Sequence, residues 1–213
     1  TGAGASRLMH GGGGLADRLE AELAAMVGTE AALVFGSGFL TNLGVLTALA
    51  DKGDVIFADR LNHASLIDGM RFSGASWARY RHGDINHLRS LLARDGSTGR
   101  RFIVTDSLFS MDGDAAPLAE LAALALRHEA GLIVDEAHAI GVMGRDGGGV
   151  CRIVGHEVRP AVVVGTLSKA LGGYGGFVGC SGVVRQWLVN RARPFMFSTA
   201  LPPGSLAGAI EAV

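Results

Sequence analysis

The sequence has few cysteines, and neither sign of charge is in excess. Only Cys151 and Cys180 occur among 213 residues, which is too few for a disulfide framework, and they are not spaced like zinc ligands. The 19 Lys and Arg residues balance 20 Asp and Glu residues, which argues against a nucleic-acid or anionic-membrane surface. No apolar run approaches the roughly 18 residues that cross a bilayer, and residues 1–14 do not resemble a secretory signal. We therefore expect a cytoplasmic protein with no membrane or nucleic-acid partner.

Two common nucleotide-binding fingerprints are also missing. There is no GxxxxGK[ST] pattern, which excludes the P-loop ATPases and GTPases. The glycines of residues 1–6 follow no strand, so they do not predict a dinucleotide-binding turn. Glycine is nevertheless abundant, at 33 residues, but it is not periodic, which excludes a collagen-like chain. With 48% hydrophobic and 18% charged residues, the composition is typical of a well-packed globular protein.

Short apolar segments alternate with amphipathic segments along the chain. The apolar segments predict strands over 31–35, 55–58, 77–80, 102–106, 132–135, 161–165 and 176–180. The amphipathic segments predict helices over 15–26, 39–50, 63–71, 86–93, 118–128 and 183–191. This alternation predicts one α/β domain with a mostly parallel sheet and helices on both faces. In such sheets ligands bind beyond the carboxyl ends of the strands.

Lysine is so rare that each position is informative. The chain has Lys52, in a polar turn, and Lys169, directly after the apolar strand 161–165. A lysine at a strand end among Gly, Ala and Leu should be partly desolvated, which lowers its pKa and frees the amine as a nucleophile. A solvated loop lysine is the alternative. The rarity of lysine favours a chemical role for Lys169.

An acidic residue and a histidine follow the strand 132–135. Asp135 at the strand end could stabilise a cationic ring nitrogen from a low-dielectric position, or simply cap the next turn. His138 follows three residues later, and no third ligand lies near them in sequence, so we expect no metal site.

Three further features are weak when taken alone. The turn 36–38, Gly-Ser-Gly, joins a strand to a helix and could bind a phosphate through backbone N–H groups, or need glycine for its geometry only. His63 and Ser110 each lie in a turn. Ser110 with a His and an Asp could suggest a hydrolase triad, but the chain has no G-x-S-x-G elbow. Together, a phosphate-binding turn, a strand-end carboxylate and one reactive amine fit pyridoxal 5'-phosphate (PLP).

Six motifs resemble those of the α-oxoamine synthases, which have fold type I of the PLP-dependent enzymes. They occupy residues 35–39, 63–66, 109–114, 134–138, 165–169 and 197–203, in family order over nearly the whole chain. The resemblance implies a homodimeric PLP enzyme that joins an amino acid to an acyl thioester. The stretches 106–118 and 165–178 look most like the family member that condenses L-alanine with pimeloyl-CoA, or a pimeloyl-carrier protein, with loss of CO₂.

The resemblance also implies catalytic roles for individual residues. Lys169 would bind PLP as a Schiff base and later remove the Cα proton of the substrate. Asp135 would pair with the pyridinium nitrogen, and His63 would stack on the ring. His138 and Ser110 would hydrogen-bond the phenolic oxygen.

The cofactor's phosphate would be held from two subunits. The amides of Gly38 and Phe39, with Thr166, would bind it from one chain. Ser198 and Thr199 would reach the phosphate bound by the neighbouring subunit, so the active site would belong to the dimer.

The chain departs from the family in two respects. It has Ala16 where the family often has a histidine. Residues 1–213 also match only the PLP-binding large domain, without the family's N-terminal segment and small C-terminal domain. Three alternatives therefore stay open: another α-oxoamine synthase, a PLP-binding domain that does not turn over, and an NAD-binding module built on the turn 36–38.

Overall fold

The computed structural model of the chain describes residues 2–11, 13–155 and 158–213. Its strands are β1 Ala31–Phe35, β2 Val55–Asp59, β3 Ser76–Tyr80, β4 Arg101–Asp106, β5 Ala130–Asp135, β6 Val162–Thr166 and β7 Gly176–Cys180. Its α-helices are α1 Gly14–Val27, α2 Gly38–Leu49, α3 Ala64–Ser73, α4 Ile85–Arg94, α5 Leu118–Arg127, α6 Val150–Val154, α7 Gly182–Arg191, α8 Arg193–Met196 and α9 Pro203–Ala212. None of these helices is long and apolar enough to span a bilayer.

The strands form one mixed sheet in the order β1-β7-β6-β5-β4-β2-β3. The five strands from β6 to β3 pair in parallel, whereas β7 is antiparallel to both β6 and β1. The predicted α/β fold with a mostly parallel sheet is therefore confirmed. β1 and β3 are the two edge strands, and the exposed side chains of the first residues of β3 reflect that position.

Helices cover both faces of the sheet because successive strand residues point to opposite sides. In β4, Ile103 packs in a core cluster with residues of α4 and α5. The next residue, Val104, packs in a second cluster with residues of α2, α3 and α7. A third cluster joins α1 and α9 to the face of β1, β6 and β7 that carries Val34 and Val163. Between these layers the five parallel strands run in one direction, so their carboxyl ends lie at the same edge of the sheet.

The predicted helix boundaries lie within two residues of those in the structure, and three helices were not predicted. Ser37 caps α2 by accepting a hydrogen bond from the N–H of Leu40 (3.2 Å), so the helix begins at Gly38. His63 is the N-cap of α3 and not its first helical residue. The unpredicted helices are α6, α8 and α9; the first two are too short to show a helical period.

The start of β7 packs tightly against the turn that opens α2. A Cβ on Gly176 would lie 2.5 Å from the backbone N of Gly38 and 2.6 Å from the carbonyl C of Ser37. Because both contacts are to backbone, no flexible side chain can move to make room. This close approach fixes the turn against the sheet.

We expect Gly176→Ala to lower the free energy of unfolding by about 1–3 kcal/mol, as overpacking does in other well-packed interiors. Urea unfolding of the two proteins measures this difference. The matched control is Gly208→Ala in α9, where an added Cβ meets nothing within 4 Å. That change should be neutral or stabilise by up to ~1 kcal/mol. Equal stabilities of Gly176→Ala and wild type would contradict the prediction.

Candidate functional site

A cavity of about 180 Å³ lies at the edge where the parallel strands end. Its lining residues follow the carboxyl ends of β1, β2, β4, β5 and β6, as expected for an open α/β sheet. They are Ser37, Gly38, Phe39, Asn42, His63, Ser65, Asp106, Asp135, Ala137, His138, Thr166, Ser168 and Lys169. The structure thus brings seven of the ten predicted site residues together.

One end of the cavity is formed by the N-terminus of α2 and the end of β6. Among the described residues, the amides of Gly38 and Phe39 have no acceptor. Thr166 Oγ1 donates to the carbonyl of Gly175 (3.0 Å) and lies 2.8 Å from Ser168 Oγ. A Cβ on Gly38 would lie 3.4 Å from Thr166 Cβ, so glycine keeps this space open. Free N–H groups and hydroxyls at a helix N-terminus suit a phosphate.

Asp135, at the end of β5, is buried and firmly oriented. Its Oδ2 accepts from Asn42 Nδ2 (2.5 Å), and its Oδ1 accepts from the N–H of Ala137 (2.8 Å). The Asn42 amide also donates to Ser65 Oγ (2.9 Å), whereas its Oδ1 is buried without a partner in the described structure. The carboxylate therefore has a fixed direction in a site of low dielectric.

Asp106, at the end of β4, is a second buried carboxyl group in the cavity. Its Oδ2 accepts from the N–H of His63 (2.9 Å). Burial, and then the charge of the neighbouring Asp135, raise the pKa of Asp106 to about 8. Asp106 therefore keeps its proton at neutral pH. A cation beside these two groups would be attracted by the negative charge of Asp135, so a protonated ring nitrogen fits here.

Lys169 and His138 meet at the mouth of the cavity, with Lys169 Nζ 2.9 Å from His138 Nε2. Burial, and then the positive charge of Lys169, lower the pKa of His138. His138 is therefore neutral at neutral pH, and its Nε2 accepts a hydrogen bond from Nζ. The expected desolvation of Lys169 is wrong for this chain. The lysine side chain is exposed because the turn after β6 carries it to the mouth.

His63 lies at the start of α3 and lines the cavity. Its Nδ1 accepts from the N–H of Ser65 (3.2 Å) and lies 2.7 Å from Ser65 Oγ. Since Ser65 Oγ also accepts from Asn42, the ring is linked to the group that orients Asp135. The position suits a residue that packs against a planar ligand.

Three predicted site residues do not line the cavity. Ser110 is exposed on the loop between β4 and α5. Ser198 and Thr199 line a separate small cavity with Arg7 and the buried Ala16. The role predicted for Ser198 and Thr199 concerns a neighbouring subunit, so it stays a prediction. Among the described residues, no group of three or more His, Cys, Asp or Glu is arranged to hold a metal ion.

Several lining residues were not predicted from the sequence. Asp106 ends a buried strand as Asp135 does, and the same argument could have found it. Asn42 is a buried amide in α2, directly after the buried Thr41, which is a weaker signal. Ser65 and Ser168 lie within motifs that were recognised, but nothing in their spacing pointed to the cavity.

We expect Lys169→Met to raise the pKa of His138, because the substitution removes the neighbouring positive charge while keeping much of the side-chain volume. An NMR titration of the histidine ring protons measures this pKa. Lys52→Met is the matched control, since it removes the chain's other lysine from a distant exposed turn. An unchanged pKa of His138 in Lys169→Met would contradict the 2.9 Å contact.

Comparisons with known proteins identify the family of the chain. The family model for aminotransferase class I and II matches residues 2–212. The 8-amino-7-oxononanoate synthase of Trichlorobacter lovleyi is 51% identical over 213 residues, which are 100% of this chain and 54% of that relative. The chain therefore spans about half the length of the curated relatives it matches.

Solved structures show the same fold. A serine palmitoyltransferase variant from S. paucimobilis, with a bound PLP–myriocin aldimine, matches with a TM-score of 0.95 and 35% identity over 100% of this chain and 55% of that one. An 8-amino-7-oxononanoate synthase from Francisella tularensis matches with a TM-score of 0.81 and 34% identity. The match covers 94% of this chain and 58% of that one.

Proposed function

Because the chain belongs to the aminotransferase class I and II family, we propose that it is the PLP-binding large domain of a decarboxylating acyltransferase. The protein condenses L-alanine with pimeloyl-CoA, or a pimeloyl-carrier protein, to give 8-amino-7-oxononanoate and CO₂, a step of biotin biosynthesis. The observation that carries the proposal is the meeting, in one cavity, of the Lys169 amine, the oriented Asp135 carboxylate and the free N-terminus of α2. Relatives at 51% identity carry this name.

The described residues fit PLP group by group. The amides of Gly38 and Phe39, with the hydroxyl of Thr166, would hold the phosphate, and a Cβ on Gly38 would contact the Thr166 side chain at 3.4 Å. Asp135 would hold the proton of the ring nitrogen, because its negative charge, which also raises the pKa of Asp106, attracts a cation at that point. His63 packs on the ring face.

Other residues complete the proposed site. His138 holds the phenolic oxygen, and Ser110 joins it from the loop that follows β4. Ser198 and Thr199 would bind the phosphate held by a second subunit, so the protein works as a homodimer. Its location is the cytoplasm. This arrangement gives a function to all ten predicted residues.

When bound, PLP supplies an aldehyde for amines and a ring that withdraws electrons from the substrate Cα. The chain supplies the proton transfers. Lys169 Nζ takes the proton from Cα and returns it at the end of the reaction. Neutral His138 assists because its Nε2 accepts from Nζ at 2.9 Å and keeps the amine at the mouth. Asn42 and the N–H of Ala137 prevent Asp135 from turning away from the ring nitrogen.

We expect added PLP to give a visible absorbance band with the wild-type chain, and borohydride to fix the cofactor on Lys169, as peptide mass mapping would show. Lys169→Ala should give no such band and no fixed cofactor. Lys52→Ala, which removes the other lysine, should behave like wild type. A full-length protein that stays colourless with PLP would refute the proposal, and NAD binding that survives Lys169→Ala would favour the dinucleotide alternative.

A second candidate is another α-oxoamine synthase, such as 2-amino-3-ketobutyrate CoA ligase or serine palmitoyltransferase. The structural match to serine palmitoyltransferase favours the latter among these. The two substrates of each enzyme can be tested separately.

We expect the full-length protein to release CoA from pimeloyl-CoA with L-alanine at least about tenfold faster than with L-serine, since one substituent at a shaped site is worth 1–3 kcal/mol. CoA release and the amino ketone product, measured for both amino acids with pimeloyl-CoA and palmitoyl-CoA, distinguish the candidates. Faster turnover of L-serine with palmitoyl-CoA would establish the second candidate instead.

A further inference from the structure

His82, in the turn between β3 and α4, lies between two carboxylates from different segments. Its Nδ1 is 3.0 Å from Oδ1 of Asp59, the last residue of β2. Its Nε2 is 2.8 Å from Oδ2 of Asp114, in the loop between β4 and α5. The ring also packs edge-on against Phe109, with 4.4 Å between the ring centroids and 84° between the planes. One side chain therefore joins three segments.

Both contacts of His82 require a proton on each ring nitrogen. An ionised carboxylate only accepts hydrogen bonds, and a neutral imidazole has one N–H. Asp59 is buried and already accepts from the N–H groups of Leu61 (2.9 Å) and Gly83 (3.0 Å). Burial of the ring opposes its charge, but hydrogen bonds and attraction from Asp59 and Asp114 outweigh it and raise the pKa of His82.

The loop that His82 contacts, residues 109–114, is anchored at its start by Phe109, which is buried in the core, whereas residues 110–114 are exposed. Its ends are closed by backbone bonds from Phe109 N–H to the Asp114 carbonyl and from Gly113 N–H to the Phe109 carbonyl, both 2.9 Å. Ser110 is exposed, and Met111 is 91% exposed. Segments with so few buried contacts open easily unless a polar contact restrains them.

We propose that the His82 imidazolium is a positioning residue. It clamps the 109–114 loop to the segment that runs from Asp59 to His63, and loss of its proton releases the loop. The proposal rests on the proposed function, in which Ser110 and His63 both contact PLP. The clamp then sets the distance between Ser110 and His63.

Other titratable groups near the clamp must be separated from it. Arg81, on the same turn as His82, is paired with Asp84 (2.7 Å). The negative charge of Asp59 helps to raise the pKa of Tyr80 in β3 and that of Asp106 at the end of β4. Since Asp106 also loses a proton above neutral pH, a pH profile of wild type alone does not identify His82.

The test compares His82→Gln and Asp114→Asn with wild type in the full-length protein. His82→Gln has no charge and holds at most one of the two carboxylates. Asp114→Asn changes only the half-exposed partner of His82 on the loop. We therefore expect this variant to fold even if His82→Gln does not. His128→Gln, at the end of α5, is the matched control.

Amide hydrogen exchange at Phe109 and Gly113 measures the loop. In wild type we expect exchange to rise with pH more steeply than the intrinsic base-catalysed rate as His82 loses its proton. In both variants exchange should be about tenfold faster at neutral pH, as for loss of one charge-assisted hydrogen bond. In His82→Gln the exchange rate should follow the intrinsic pH dependence, without the additional rise. Equal exchange in wild type and His82→Gln would overturn the clamp.

PLP affinity and the pH profile of kcat/KM, measured on the same proteins, test the link to the site. We expect about tenfold weaker PLP binding in both variants, equal to one lost charge-assisted bond, and no change in His128→Gln. Faster loop exchange with unchanged PLP affinity would overturn the positioning role. A wild-type protein that binds no PLP would instead refute the proposed function, while the exchange measurement would still decide whether the clamp exists.

Discussion

Two carboxyl groups that the strand register forces together govern the cavity. Asp106 and Asp135 are partners across β4 and β5, and both are buried. In a site of low dielectric their repulsion is severe unless each is compensated. Asn42 and the N–H of Ala137 stabilise Asp135, while the N–H of His63 and a retained proton stabilise Asp106. The start of α3 and one face of α2 are thus positioned by this pair, and the charge that remains favours a cationic ring nitrogen.

The residue after Asp135 shows how the same strand end also supports the scaffold. Glu136 is completely buried, and its Oε2 accepts from the hydroxyl of Ser107 (2.5 Å) and from the N–H of Val150 (3.0 Å). Its Oε1 accepts from the N–H of Cys151 (2.7 Å), so the carboxylate anchors the start of α6. All of its bonds are made within the fold. The two adjacent carboxylates therefore have different roles, because Asp135 is directed to the cavity and Glu136 to the core.

Much of this arrangement could be predicted from the sequence, because buried parallel strands are continuous apolar runs and strand ends carry the polar residues. Asp135 and Lys169 were found in this way. Asn42 could not be found, since its partners Ser65 and Asp135 are distant in the chain and meet it only after folding. The exposure of Lys169 depends on the conformation of one turn, and the hydrophobic periodicity of the sequence does not predict that conformation. The short helices α6 and α8 span too few residues for a period to appear.

The antiparallel strand β7 explains why Lys169 and the start of α2 line the same cavity. A parallel strand after β6 would need a crossover that returns to the far edge of the sheet. β7 instead begins at the edge where β6 ends, so the lysine lies on a hairpin connection. The carbonyl of Gly175 closes that hairpin by accepting from Leu167 N–H and Thr166 Oγ1, both at 3.0 Å. Because β7 also pairs with β1, the turn that opens α2 at Gly38 stands beside the same hairpin. A single reversal of strand direction thus places the Lys169 amine and the N-terminal end of α2 around one cavity.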